Sequence, residues 1–173
     1  MKANQQELAN GFKISMVEVS NVTSAVKAKL IELQDTVTPT VAFKARLNSS
    51  TAGVIGQAIV FPVLIFKEGD AYNPNTGQFT APISGVYMFS LAFCVYPEKN
   101  LIISIMVERT RYSTSLFRGD AGYGCSSADT VAIVTAGQKV WVEVVGGHTG
   151  TNIYHGDSYR WNTFSGALIN RKI

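Results

Sequence analysis

Apolar positions follow two different rhythms along this chain. From residue 4 to residue 38 they recur in steps of three and four; from residue 41 onward they recur in steps of two between turns. The first rhythm predicts a single amphipathic helix. Phe12, Val19, Val26 and Leu33 are spaced by seven, and Met16, Val22, Leu30 and Val37 fall between them, so the eight form a coiled-coil seam. Ser15 and Lys29 occupy the alternative seam positions and weaken it. Frequent β-branched residues keep the helix propensity only fair. An isolated amphipathic helix of this length is not stable in water. The stretch therefore needs a partner, either further copies of itself or the side of its own domain. Thr38-Pro39-Thr40 ends it, because the residue before a proline is pushed out of the α region.

The second rhythm predicts short strands. Val41–Leu47 alternates apolar and polar as a half-buried first strand does. Ile59–Phe66 is apolar but interrupted by Pro62, and reads as a buried strand with a bulge or an edge position. Between Gly69 and Phe89, glycines, prolines and asparagines punctuate single aromatic residues, Tyr72, Phe79, Tyr87 and Phe89, each placed for burial. Asn73-Pro74-Asn75-Thr76-Gly77 is a turn in which Pro fixes one corner and Gly accepts a positive φ at the exit. Further strands are expected at 90–96, 101–108, 129–135, 139–145, 151–154 and 163–170, with a polar, arginine-rich connection over 109–124. No helix separates them, so the fold class is all-β, a sandwich or barrel.

The spacing of Gly69, Tyr72, Asn73, Gly77, Phe79, Pro82, Gly85, Tyr87 and Phe89 resembles the signature of the C1q globular-head family. The resemblance continues at Phe43, at Gly137-x-x-Val140-Trp141-Val142 and at Phe164-Ser165-Gly166-x-Leu168, and it covers residues 40–173. Several spaced motifs in order are far more specific than one. The resemblance implies a two-sheet, ten-stranded jelly roll of the C1q/tumour-necrosis-factor type that trimerises about a three-fold axis. Residues 1–38 then become a short parallel coiled coil in front of a globular domain at 39–173, and the homotrimer sets the helix partner. No Gly-X-Y repeat is present, so the collagen stalk of many relatives is absent from this sequence. The family is secreted. Met1–Gln6 shows no signal-peptide pattern and is read as the start of a mature extracellular chain with an added Met.

Composition narrows the function classes. The 173 residues are 46% hydrophobic, enough for a real core. A net charge of +3 with no basic run argues against nucleic acid, and no apolar run reaches transmembrane length. Cys94 and Cys125 are the only cysteines, and they fit either one disulfide or two buried apolar thiols. Neither has the Cys-x-x-Cys or His-pair company of a metal site. His148 and His155 are the only histidines, and no nucleophile elbow, His-Glu-x-x-His or phosphate loop is present, so the chain is not expected to be an enzyme. No cofactor is called for. Some relatives bind calcium near the trimer apex. Asp157 is the local carboxylate, with Asp129 more distant, and neither has the acidic neighbours that supply six to eight oxygens, so calcium stays unassigned.

Recognition is expected in loop 155–162. Tyr154, His155, Asp157, Tyr159, Arg160 and Trp161 concentrate aromatic faces, hydrogen-bonding groups and both charges. Sugars are held by stacking on a ring while polar groups take the hydroxyls. An acidic sugar such as sialic acid also needs a cation, Arg160 or Lys99, for its carboxylate. The alternative is that Tyr159 and Trp161 pack into the trimer interface or under the loop. Counting antiparallel strands back from the last one places 136–138 and 97–100 at the same apical end as 155–162, and 109–124 and 146–150 at the base. That count makes Arg118-Gly119-Asp120, a match to the integrin-binding tripeptide, a basal turn. Arg109, Arg111, Tyr112, Arg118 and Tyr123 read first as a solvated loop; the alternative is a second basic-aromatic surface suited to an anion. Asn48-Ser49-Ser50 is a glycosylation sequon in a loop, and Asn21-Val22-Thr23 is a second inside the helix. The expected function is a secreted trimeric C1q-type lectin of innate immunity, binding carbohydrate or a surface glycoprotein. The alternatives are a cytokine-like or synaptic-organiser ligand for a receptor protein, and a structural trimer. None inserts into a membrane.

Overall fold

The computed structural model describes residues 2–36, 39–156 and 158–171. The chain divides into two compact units, Met1–Thr38 and Pro39–Ile173. In the first, helix α1 runs from Lys2–Thr36 without a break. The seam residues from Phe12 to Leu33 are each more than half exposed. Val37 lies outside the described residues.

The second unit holds twelve strands: β1 (Ala42–Arg46), β2 (Thr51–Ala52), β3 (Val63–Glu68), β4 (Tyr72–Asn73), β5 (Gln78–Thr80), β6 (Gly85–Val95), β7 (Lys99–Val107), β8 (Thr110–Gly119), β9 (Gly124–Val134), β10 (Lys139–Gly147), β11 (Thr151–Ile153) and β12 (Thr163–Arg171). Leaving aside the two-residue rungs β2 and β4, ten remain. All twelve make two antiparallel sheets, ordered β2-β11-β6-β12-β1-β3 with β9 also on β6, and β4-β5-β10-β7-β8. This is the expected jelly roll.

Aromatic residues close it. Tyr72, Phe79, Tyr87 and Phe89 are all buried, as their placement between turns predicts. Phe43 stacks on Tyr72 with ring centroids 4.5 Å apart and meets Phe164 edge-on at 5.1 Å, joining β1, β4 and β12 across the sandwich. The two buried phenols find backbone acceptors: Tyr72 donates to Phe61 O at 3.2 Å and Tyr87 to Ile83 O at 2.7 Å. The turn at 73–77 forms as expected, with Gly77 N–H donating to Asn73 O at 2.9 Å and Gly77 at φ 71°. Strand β3 is an edge strand, in line with Pro62 just before it, but it is not buried: Ile65 and Phe66 are nearly half exposed.

The expected connection at 109–124 is not a connection. Residues 110–119 are a full strand, β8, paired along its length with β7 (Lys99 opposite Gly119, Val107 opposite Thr110). Adding it reverses the direction of everything between it and the last loop. Val95 faces Gly124, and Ala92 faces Thr163, so 96–98, 120–123 and 154–162 share one end of the sandwich. Gly147 faces Leu101, which brings 148–150 to that end too. Turn 135–138 lies at the opposite end, where Gly137 N–H donates to Ala81 O. Loop 155–162 keeps its place because β11 is only three residues long and does not cross the sheet.

Candidate functional site at the loop end

The loop after β11 is shaped by a buried amide. Asn162 Oδ1 accepts the Cys94 N–H at 2.7 Å, and its Nδ2 donates to Tyr154 O at 2.7 Å. Its backbone O accepts from Leu47 N–H at 3.0 Å. The fully buried side chain thus ties the loop base to β6, and the backbone of the same residue ties it to the end of β1. Between these ties the backbones of Gly156 and Arg160 pair reciprocally at 2.9 and 3.2 Å, which folds the chain back and sends Tyr159, Arg160 and Trp161 outward in succession.

The three side chains do different things. Arg160 lies over a set of tyrosines, with its guanidinium carbon 4.9 Å from the Tyr123 centroid, 5.8 Å from Tyr154 and 4.7 Å from Tyr159. Its Nη1 also donates to Tyr159 Oη at 3.1 Å. Tyr96 completes the group, 5.8 Å from Tyr123 and 5.2 Å from Tyr154. Aromatic faces attract a guanidinium through their quadrupoles and hold it without neutralising it. On the other side, Tyr159 and Trp161 wall a groove of about 340 Å³ floored by Ala92, Ser126, Ser127 and the Cys94–Cys125 disulfide. That volume is at the small end of ligand sites. The disulfide decides between the two readings of the cysteines: they stand directly opposite each other on β6 and β9, with S–S 2.10 Å.

Of the residues singled out from sequence, Tyr154, Tyr159, Arg160 and Trp161 come together. His155 is turned inward: its N–H donates to Ser50 Oγ at 3.0 Å, and its Nε2 is 3.3 Å from Arg46 Nη1. Lys99 faces a separate hollow with Glu98, Asn100, Arg118 and Asp120. Asp157 lies outside the described residues. Two further members, Tyr96 and Tyr123, come from turns outside loop 155–162. The signal for both is an aromatic residue set in turn sequence, Tyr96-Pro97 and Gly122-Tyr123-Gly124.

The basic residues of 109–124 are spread along a strand and do not form one basic-aromatic patch. Arg111 pairs opposite Met106 and Arg118 opposite Asn100, seven residues apart on β8, or roughly 23 Å at strand rise. The tripeptide Arg118-Gly119-Asp120 sits at the loop end, not at the base. Its two charged side chains face each other at 3.9 Å, and a Cβ on Gly119 would lie 2.3 Å from Tyr96 O. Packing therefore accounts for the glycine. Among the described residues no group of three or more His, Cys, Asp or Glu could hold a metal ion, and no helix is long and apolar enough to cross a membrane.

The family model of the C1q domain matches residues 42–169. The chain belongs to the C1q-domain family. Within curated proteins, this C1q domain is similar to Caprin-2 of Danio rerio, at 30% identity over 135 residues, 75% of this chain and 14% of that protein. It is also similar to complement C1q tumor necrosis factor-related protein 3 of Mus musculus, at 26% identity over 131 residues, 75% of this chain and 51% of that protein. The chain therefore spans about half or less of the length of these two relatives. In solved structures the fold is similar to the globular domain of zebrafish complement 1qA, with TM-score 0.60, 21% identity and coverage of 76% of this chain and 99% of that one. Murine APRIL is similar at TM-score 0.52 and 10% identity, covering 75% and 99%. At these identities the structural likeness is one of fold.

Proposed function

We propose that this C1q domain works as a secreted homotrimer that recognises acidic carbohydrate, sialic acid among them, at its loop end. The observation that carries the reading is Arg160, held by tyrosine rings beside the groove between Tyr159 and Trp161. A fixed guanidinium takes a carboxylate bidentately, and the adjacent aromatic wall takes the apolar face of a sugar ring. One such groove binds weakly, and three on one axis gain by avidity. Host or microbial surface glycans are the class of target, in keeping with a role in innate immunity and not in catalysis.

Two exposed apolar surfaces support the trimer. The α1 seam from Phe12 to Leu33 is more than half exposed along its length, and a helix of that kind is stabilised by further copies of itself. The outer face of the β6 sheet carries Met88, Val131, Ile133 and Ile169, each 44% exposed or more, and apolar patches of this kind mark interaction sites. A glycan array probed with chain of verified trimeric mass tests the reading. Binding to sialylated or uronate-bearing glycans, lost in Arg160→Ala, is expected. A trimer that binds no glycan removes it.

A second reading, a cytokine-like or synaptic-organiser ligand for a receptor protein, is favoured by a different patch. Ile102 and Leu116 stand opposite each other on the outer face of β7 and β8, both exposed, with Tyr112 further along β8. Leu116→Asp separates the two: it leaves glycan binding intact and abolishes binding to a receptor-bearing cell.

A further inference from the structure

We propose that Asn48 is an N-glycosylation site, and that its glycan covers the flank of the loop end beside Trp161. The inference rests on the reading that the chain enters the secretory pathway. Asn48-Ser49-Ser50 has the acceptor amide and, two residues on, the hydroxyl that the modification requires. The structure puts this tripeptide where a glycan can stand. Just past β1, Leu47 N–H donates to Asn162 O, and beyond it the chain leaves the sheet into an exposed bend at 48–49. The Asn48 Oδ1 accepts only a long bond from Ser49 Oγ, 3.4 Å. Its Nδ2, the atom to be modified, makes no hydrogen bond among the described residues.

The second sequon differs on each point. Asn21 and Thr23 lie mid-helix, roughly 200° apart around its axis, so amide and hydroxyl point away from each other. The Thr23 hydroxyl already donates to Val19 O at 2.7 Å.

In the transfer, Nδ2 of Asn48 attacks the anomeric carbon of a lipid-linked oligosaccharide. A C–N bond forms, the amide loses one proton, and the C–O bond to the polyprenyl pyrophosphate breaks with its electrons leaving on the pyrophosphate. The transferase of the secretory compartment supplies the catalyst and the lipid-linked donor. The product is a bulky hydrophilic chain on the residue two beyond Arg46, whose guanidinium stacks on Trp161. It shields that flank from protein contact and leaves the groove on the disulfide side open.

The test is secretion of the full chain from eukaryotic cells behind a heterologous signal peptide, so that entry into the pathway is guaranteed and is not itself in question. Peptide-N-glycosidase treatment in heavy-oxygen water, followed by peptide mapping, should convert Asn48 to labelled Asp, and Asn48→Gln should remove one glycan from the intact mass. A secreted chain with Asn48 bare overturns the proposal, whether or not Asn21 is modified, and leaves the secretory reading standing. Ser50→Ala is not equivalent. Ser50 Oγ also accepts the His155 N–H at 3.0 Å, so that variant loses both the glycan and a tie to the loop, whereas Asn48→Gln removes the glycan and leaves that tie in place.

Discussion

The guanidinium carbon of Arg46 lies 4.8 Å from the ring centroid of Trp161, and this contact fixes one wall of the candidate groove from the neighbouring strand. Arg46 is the last residue of β1, and its Nη1 also donates to Leu47 O at 3.1 Å and touches His155 Nε2 at 3.3 Å. These contacts hold its guanidinium over the indole. Removing it should cost the stacking, about 1–2 kcal/mol at a part-buried site, and free the ring. Arg46→Ala is expected to lower the midpoint of thermal unfolding by a few degrees and shift Trp161 emission to the red, with Trp141→Phe used to isolate the signal. Arg46→Lys should recover only part, because a point charge does not stack as a fork does. An unchanged spectrum in Arg46→Ala counts against the contact.

Burial pushes the ionisation of Tyr72 well above that of a free phenol, and pushes that of Tyr87 in the same direction. The sign follows from proton binding. Above about pH 10 the unfolded phenol gives up its proton while the folded one keeps it, so the folded state binds more protons and stability falls as pH rises. The contribution is complete below pH 10 and is lost progressively above it. Urea midpoints measured from pH 8 to pH 11 should decline past 10, and Tyr72→Phe should flatten that decline while losing about 1 kcal/mol at neutral pH from the bond to Phe61 O. A Tyr72→Phe profile as steep as the parent's would show that the phenol is not what titrates.

Legibility in the sequence tracked how residues are buried. The turn at 73–77 and the aromatic positions around it could be read because each rests on local chemistry: a proline, a glycine at φ 71° and isolated rings with one face to go to. Strand β8 could not. Of its ten residues only Phe117 and Gly119 are buried, so Arg, Ser and Thr fill it and the alternation that marks a strand is hidden. That single omission turned the ends of the sandwich around for the loops at 109–124, 136–138 and 146–150. The site was legible where its members are neighbours in the chain, at Tyr154 and Tyr159 to Trp161. Tyr96 and Tyr123 reach it from two other turns, and only pairing such as Val95 with Gly124 brings those turns together. The inward turn of His155 depends on Ser50, 105 residues away, and no local pattern announces it.

The outer face of the β6 sheet makes a sharp prediction about assembly. Val131, Met88, Ala167 and Ala42 stand in one row across β9, β6, β12 and β1. The next row toward the loop end reads Asp129, Ser90, Ser165 and Lys44, with opposite charges at its two ends. Met88→Asp puts a charge at the centre of the apolar row, where burial against a second copy would leave it unpaired, a cost of several kcal/mol. Sedimentation equilibrium should show three chains for the parent and a shift toward single chains for the variant, with far-ultraviolet dichroism unchanged. A Met88→Asp protein that sediments as the parent does would show that this face is not the contact.

The Cys94–Cys125 disulfide joins strands that already pair along eleven rungs, from Gly85 opposite Val134 to Val95 opposite Gly124. The cross-link therefore adds no new topology; it restricts the unfolded chain, closing a loop with a sequence separation of 31. In the loop-entropy account this contributes about 3–4 kcal/mol, and at this chain length each kcal/mol moves the thermal midpoint by about 2–4 °C. Reduction, or the double change Cys94→Ala with Cys125→Ala, is expected to leave the fold intact at room temperature and to lower the midpoint by roughly 6–16 °C. The same change strips the floor of the groove beneath Tyr159 and Trp161, so glycan affinity measured on the folded double variant should also fall, while the Arg160 and tyrosine cluster, built from other turns, keeps its geometry. Calorimetry with and without reductant checks the first effect, and titration with a sialylated oligosaccharide checks the second. A double variant that melts with the parent would mean that the eleven rungs of pairing, and not the covalent link, set the stability of this end of the sheet.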